Sequence, residues 1–209
     1  MASLFKGPAY RIHTQRLVIR CYNPADAPLL KAAIDESLEH LLPWMPWARN
    51  EPQTLQQKIE LLRRMRGEFD LGTSFVYGIF NQDETRVLGG TGLHPRIGFG
   101  ALEIGYWVHK DFINQGIATE CAAALTKVGF EVEGLRRMEI HCDARNDRSA
   151  AVPRKLGYTH EATLRQHNHF YDEIFVDSMI WTLLREDYPQ SPAAAAEVEA
   201  FDAMNRRIL

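Results

Sequence analysis

The chain has 209 residues, 45% hydrophobic and 24% charged, with a formal net charge of −3, which describes a globular protein able to bury one full core and without overall attraction to nucleic acid. Its three cysteines, Cys21, Cys121 and Cys142, are far apart and set among apolar neighbours, so reduced buried thiols are expected rather than disulfides or a metal site. The N-terminus has no continuous apolar segment and no later run reaches membrane-spanning length, so a cytoplasmic protein with no membrane partner is expected.

In chain order, RLVIRCY alternates over Leu17, Ile19 and Cys21 as a half-buried strand. Asn23-Pro24 breaks it, and Asp26 is placed to cap a helix over 27–40. LLPWMPWA follows, its two prolines excluding regular helix, and an apolar face from Leu55 to Met65 predicts a second helix over 54–68. Strands are expected at 74–80, 86–94 and 101–109, joined by links too short for crossover helices and hence antiparallel. A helix from Ile117 to Phe130 ends at Gly134, and RRMEIHCDA then forms a strand parallel to EIGYWV. A short helix over 147–156 and two final strands complete a mixed α/β sheet in a single domain, 1–188. Ser191-Pro192 and the alanines after it predict a C-terminal helical extension, 189–209, free to cover its own sheet or a neighbouring copy in a homodimer.

The segment FINQGIATE carries the first functional signal. A strand entering a glycine-bearing loop that opens a helix leaves backbone N–H groups unpaired, and with the helix dipole these make an anion site. Gly116 allows close approach to the main chain, Ala118 keeps the next inward position small, and Thr119 adds a hydroxyl. A plain connection is the alternative for the loop taken alone. If EIGYWV and the strand before CDARNDRSA are parallel, their C-terminal ends share one edge of the sheet, which brings Asn146 and Ser149 to the same crevice. Each could otherwise be only a helix-start residue.

Together TQRLVIR, ESLEHLLPWMPWA, EIGYWV with NQGIATE, ARNDRSAAVPRKLGY and FVDSMIWTLL resemble the Rim-type ribosomal-protein N-terminal acetyltransferases of the GNAT superfamily, over about Thr14 to Tyr188. The resemblance implies acetyl-CoA as co-substrate and no metal. Main-chain amides across Asn114, Gln115, Gly116, Ile117, Ala118 and Thr119 would hold the pyrophosphate. The Val108 N–H, freed by a strand bulge, would face the thioester carbonyl, and Asn146 and Ser149 would flank the pantetheine and sulfur. Ile113 stands where the superfamily loop carries Arg or Gln, and Pro153 where many relatives place an acidic Tyr, which leaves Ser149 to protonate the departing thiolate.

Acetyl transfer to an amine needs a positioned thioester, a neutral amine, oxyanion stabilisation and a proton for sulfur, with no covalent enzyme intermediate. Glu103, on the strand face opposite Tyr106, and His141, in the parallel strand, are the candidate bases; a paired strand carboxylate and a structural histidine are the alternatives. Rim-type relatives often have a Glu near Asn168, a role that is missing here or passes to His167 or His169. Trp44 and Trp47 would wall the acceptor cleft, or else plug the core. Tyr106, His167, Asn168, Asp172 and Glu173 would complete its mouth, and Asp177 is expected to be structural. The acceptor implied is a peptide N-terminus or a small amine; a non-catalytic acyl-CoA-sensing module is the competing reading.

Overall fold

Segments that alternate apolar and polar residues become the strands of one sheet. The structure, a computed structural model, describes residues 8–171 and 174–209, with side chains for all of these but 169–171. The strands are β1 (Arg11–His13), β2 (Leu17–Cys21), β3 (Phe75–Asn81), β4 (Val87–His94), β5 (Ala101–Val108), β6 (Arg137–Asp143), β7 (Thr159–Tyr171), β8 (Ile174–Leu184) and β9 (Glu199–Phe201). Their spatial order is β7-β8-β6-β5-β4-β3-β2-β1-β9. Among the described residues only β5 and β6 run parallel.

Among the described residues four α-helices cover the sheet: α1 (Ala27–Leu41), α2 (Leu55–Asp70), α3 (Ile117–Glu131) and α4 (Asp147–Lys155). Leu102, Ile104, Met138 and Ile140 point to the face holding α3 and α4, within one buried cluster. Val18, Tyr22 and Phe80 point to the opposite face, against Leu30 and Ile34 of α1 and Leu62 of α2. Thr54 caps α2 reciprocally with Gln57. Asp26 does not cap α1 as expected. Its carboxylate pairs with Arg20 at 2.7 Å and accepts from the Asn23 amide at 2.7 Å, while the Asn23 side chain caps the preceding 3₁₀ turn.

The C-terminal helix is corrected. After short 3₁₀ turns at Tyr188–Gln190 and Pro192–Ala195 the tail extends as β9 and pairs with β1. Ala193 and Ala200 are fully buried, so the alanines serve close packing rather than helix propensity. The tail therefore closes one edge of its own sheet.

Candidate active site

The parallel pairing of β5 and β6 extends only from Ala101↔Arg137 to Glu103↔Glu139. Beyond it the strands part, and, among the described residues, 104–108 of β5 have no strand partner on that side. On the other side β5 stays in register with β4, from His94↔Glu103 to Gly89↔Val108. His109 N–H donates to Leu88 O at 2.8 Å, toward β4. Amides alternate along a strand, so the Val108 N–H points into the gap. Divergence of β6, and not the expected bulge in β5, frees this amide.

The gap opens onto the N-terminus of α3. Asn114 (φ 59°) and Gly116 (φ 81°) both take left-handed conformations, which turn the chain sharply into the helix. Gly116 is the N-cap and provides no side-chain cap. The first helical bond is Glu120 N–H to Gly116 O at 2.9 Å, so the amides of Ile117, Ala118 and Thr119 lack intrahelical acceptors. A main-chain anion site results. The side chain of Gln115 turns back to donate to Asp111 O at 2.8 Å, and Ile113 is half-buried in extended conformation, so the cradle is made of backbone.

A clamp from the far edge holds this loop, and no sequence motif pointed to it. Arg16, in the β1–β2 turn, donates to Gln115 O at 2.9 Å and to Glu120 Oε2 at 2.7 Å, while Thr14 Oγ1 donates to Glu120 Oε1 at 2.6 Å. A β-carbon at residue 116 would stand 3.3 Å from Arg16 Nη2. The available signal was an arginine in a turn and an acid in the first turn of α3. His109 is buried and pairs with Glu36 of α1 at 3.1 Å, and Lys110 N–H donates to Ser37 Oγ at 3.1 Å, fixing the strand end to α1.

Across the gap Asn146 is the N-cap of α4, its Oδ1 accepting from Ser149 N–H at 3.0 Å. This is the capping role, and it turns Ser149 toward β5. Tyr106 Oη lies 3.2 Å from Ser149 Oγ and donates to Ser149 O at 3.1 Å. Burial pushes the Tyr106 phenol well up, against the opposing hydrogen bond from Ser149, and pushes the neighbouring Cys142 thiol up to about 11. Tyr106 thus belongs to the α3 side with Ser149 and not to the acceptor mouth, a correction that follows from strand alternation. A tyrosine does reach Ser149, from β5 rather than from the position of Pro153.

Glu103 and His141 lie on the other face, and both are occupied. Arg96 grips Glu103 through two bonds of 2.7 and 2.5 Å, and His141 Nε2 lies 2.6 Å from Glu139 with Nδ1 3.6 Å from Glu103. Both are held in ion pairs, the arrangement given by the paired-carboxylate and structural-histidine alternatives. On the same face Trp47 packs edge-on against Trp107, centroids 5.9 Å apart. Trp44 is half-buried in the turn ending α1. His167 is exposed, and Asn168 Nδ2 lies 3.4 Å from Ser178 Oγ. Asp177 accepts from Gln166 N–H at 2.9 Å, a structural role where β7 breaks register. Asp172, Glu173 and the side chain of His169 lie outside the described residues.

A family model described as an acetyltransferase (GNAT) domain matches residues 16–159. The chain is 25% identical over 176 residues to the "Putative ribosomal N-acetyltransferase YdaF" of Bacillus subtilis (strain 168), spanning 83% of this chain and 94% of that one. It is 25% identical over 166 residues to the ribosomal protein uS5 alanine N-acetyltransferase of Escherichia coli (strain K12), spanning 77% and 84%. The fold recurs in RimL, a ribosomal L7/L12 alpha-N-protein acetyltransferase solved in complex with coenzyme A, at TM-score 0.73 and 20% identity, covering 82% of this chain and 95% of that one.

Proposed function

This chain belongs to the acetyltransferase (GNAT) domain family, acetyl-CoA-dependent enzymes that act on amines, and we propose that its acceptor is the α-amine of a peptide or protein N-terminus. The observation that carries this reading is the divergence of β5 from β6 directly before the uncapped start of α3. An extended chain fits the gap by strand-like hydrogen bonds, and a pyrophosphate fits the amides that follow it. The names of YdaF and of the uS5 enzyme favour a protein N-terminus over a small amine.

In this reading the backbone at residues 114–119 binds the pyrophosphate, and Arg16 with Glu120 holds that backbone in shape. The Val108 N–H faces the thioester carbonyl and stabilises its developing oxyanion. Asn146, whose Oδ1 is taken by the Ser149 amide, would offer its Nδ2 to the pantetheine. Ser149 Oγ gives a proton to the departing sulfur, with Tyr106 Oη behind it to restore that proton. Trp47 and Trp107 wall the approach from the opposite face, and His167 and Asn168 border it from β7. The amine therefore attacks from the α1 side while the sulfur leaves on the α3 side.

Offering acetyl-CoA with a panel of unblocked peptides, the same peptides with a blocked α-amine and a free lysine, and small amines tests the assignment. Thiol release confined to the unblocked peptides is expected. Release with small amines alone removes the peptide assignment, and tight binding of acetyl-CoA without release to any amine leaves only a sensing module.

A further inference from the structure

On the α1 face, β4 and β5 meet over bare backbone. Gly92 lies opposite Gly105, flanked by Gly90 opposite Trp107 and His94 opposite Glu103. His94 lies back over this floor: β-carbons at Gly92 and Gly105 would stand 2.8 and 3.1 Å from its Nε2. The imidazole thus reaches from its own level toward the end of β5 where β6 has left. Side chains at those two glycines would push it away.

We propose that His94 is the proton acceptor for the incoming amine, a role that rests on the acetyl-transfer reading above. Among the described residues its ring nitrogens bond to no protein group. The charged groups facing it are Arg96 in the β4–β5 turn and Glu103 on β5, with Glu139 and His141 of β6 next beyond; β3 offers Phe75 and Val76. Glu103 is taken by Arg96, and His141 by Glu139. His94 alone among these groups has both an open nitrogen and a place over the floor that leads to the gap. Burial, with Arg96 adding to it and Glu103 opposing, lowers its titration below the ordinary histidine value, so the ring is neutral and receptive at neutral pH.

The amine arrives as an ammonium, gives one proton to His94 Nε2, directly or through a water, and attacks with the freed lone pair. The C–N bond forms and the C–S bond breaks. The sulfur takes the Ser149 proton, the surplus proton on nitrogen leaves to solvent, Ser149 is restored from solvent through Tyr106, and His94 releases its proton to solvent, so that one proton is set free per turnover.

The test compares wild type, His94→Gln, His94→Ala and Glu103→Gln with acetyl-CoA and a short unblocked peptide beginning with alanine, from about pH 6 to about pH 9. Coenzyme A binding is measured separately by calorimetry. At pH 7 the His94→Gln kcat is expected to fall roughly 10²-fold with coenzyme A affinity kept within about twofold. The deficit should close near pH 9, where an α-amine with pKa of about 8 arrives neutral. Added imidazole should rescue His94→Ala. In wild type the His94 ring, followed by NMR, should titrate below about 6.5.

A His94→Gln kcat within about threefold of wild type at pH 7, or a deficit that does not change with pH, overturns the proposal. So does an ordinary titration of His94, or a pH-dependent loss found in Glu103→Gln instead. If wild type acetylates the peptide and only the His94 results fail, this inference falls alone. If wild type binds acetyl-CoA and acetylates no amine, the parent reading falls with it.

Discussion

Ser149 and Glu133 show how differently two polar residues can be tied to this fold. Ser149 is held by the Asn146 cap and Tyr106, and its hydroxyl faces the gap. Ser149→Ala removes the proposed proton donor while the α4 cap persists through the backbone amide, so kcat should fall about 10²-fold with coenzyme A affinity little changed, as read by steady-state kinetics and calorimetry. Glu133 lies beyond α3, 6% exposed, and among the described residues neither its Oε1 nor the Tyr77 hydroxyl has a hydrogen-bond partner. Burial raises its titration from 4.5 to about 7. A raised carboxyl value favours folding at low pH, and that contribution is lost as pH rises from the unfolded value through the folded one. Glu133→Gln should therefore raise stability by about 3 kcal/mol at pH 8 and little at pH 4, measured by urea denaturation at both. The motif residues Asn146 and Ser149 were legible in the sequence because their spacing at a strand-to-helix turn follows from local rules. The pairing of Glu103 was not: Arg96 lies seven positions away in a turn, and side-chain reach across strands carries no period.

The divergence of β5 and β6 is a property of two elements together. Alternation and helical spacing read from the chain recovered β2 to β6, the first half of β7, β8 and the helices α1 to α4, including the parallel pair, because their periodic segments are long enough to read. They missed β1 and β9, three residues each and too short to show a period; β1 is held between β2 and β9, and β9 pairs with β1. The expected helix over the tail followed alanine propensity, which tertiary packing overrode. The segment between α1 and α2, which bears Trp47, is anchored by an ion pair between Glu51 and Lys58, both nearly inaccessible. Lys58→Met leaves an uncompensated buried carboxylate and should cost about 3–5 kcal/mol, whereas Lys58→Met with Glu51→Leu should recover most of the loss. Guanidinium denaturation of the single and double variants checks this. Equal destabilisation by both would show that packing, rather than unpaired charge, sets the cost.

Across the molecule, the sheet separates two sets of groups and the gap joins them: unpaired amides and the hydroxyls of Ser149 and Tyr106 on the α3 face, an aromatic and imidazole-bearing floor on the α1 face. The tail strand β9 closes the edge that begins with β1, and Ala200 sits there without exposure. Ala200→Asp should cost at least about 3 kcal/mol by burying an unpaired charge, seen as a lower Tm, with coenzyme A affinity retained at temperatures where the fold survives. The central claim is that the backbone around Gly116 holds the cofactor's pyrophosphate. Calorimetric titration of coenzyme A into wild type and into Gly116→Val, each shown to be folded by circular dichroism, tests it most directly. A branched side chain at φ 81° and against Arg16 should abolish binding that wild type shows. Unchanged affinity in a folded Gly116→Val protein would contradict the account.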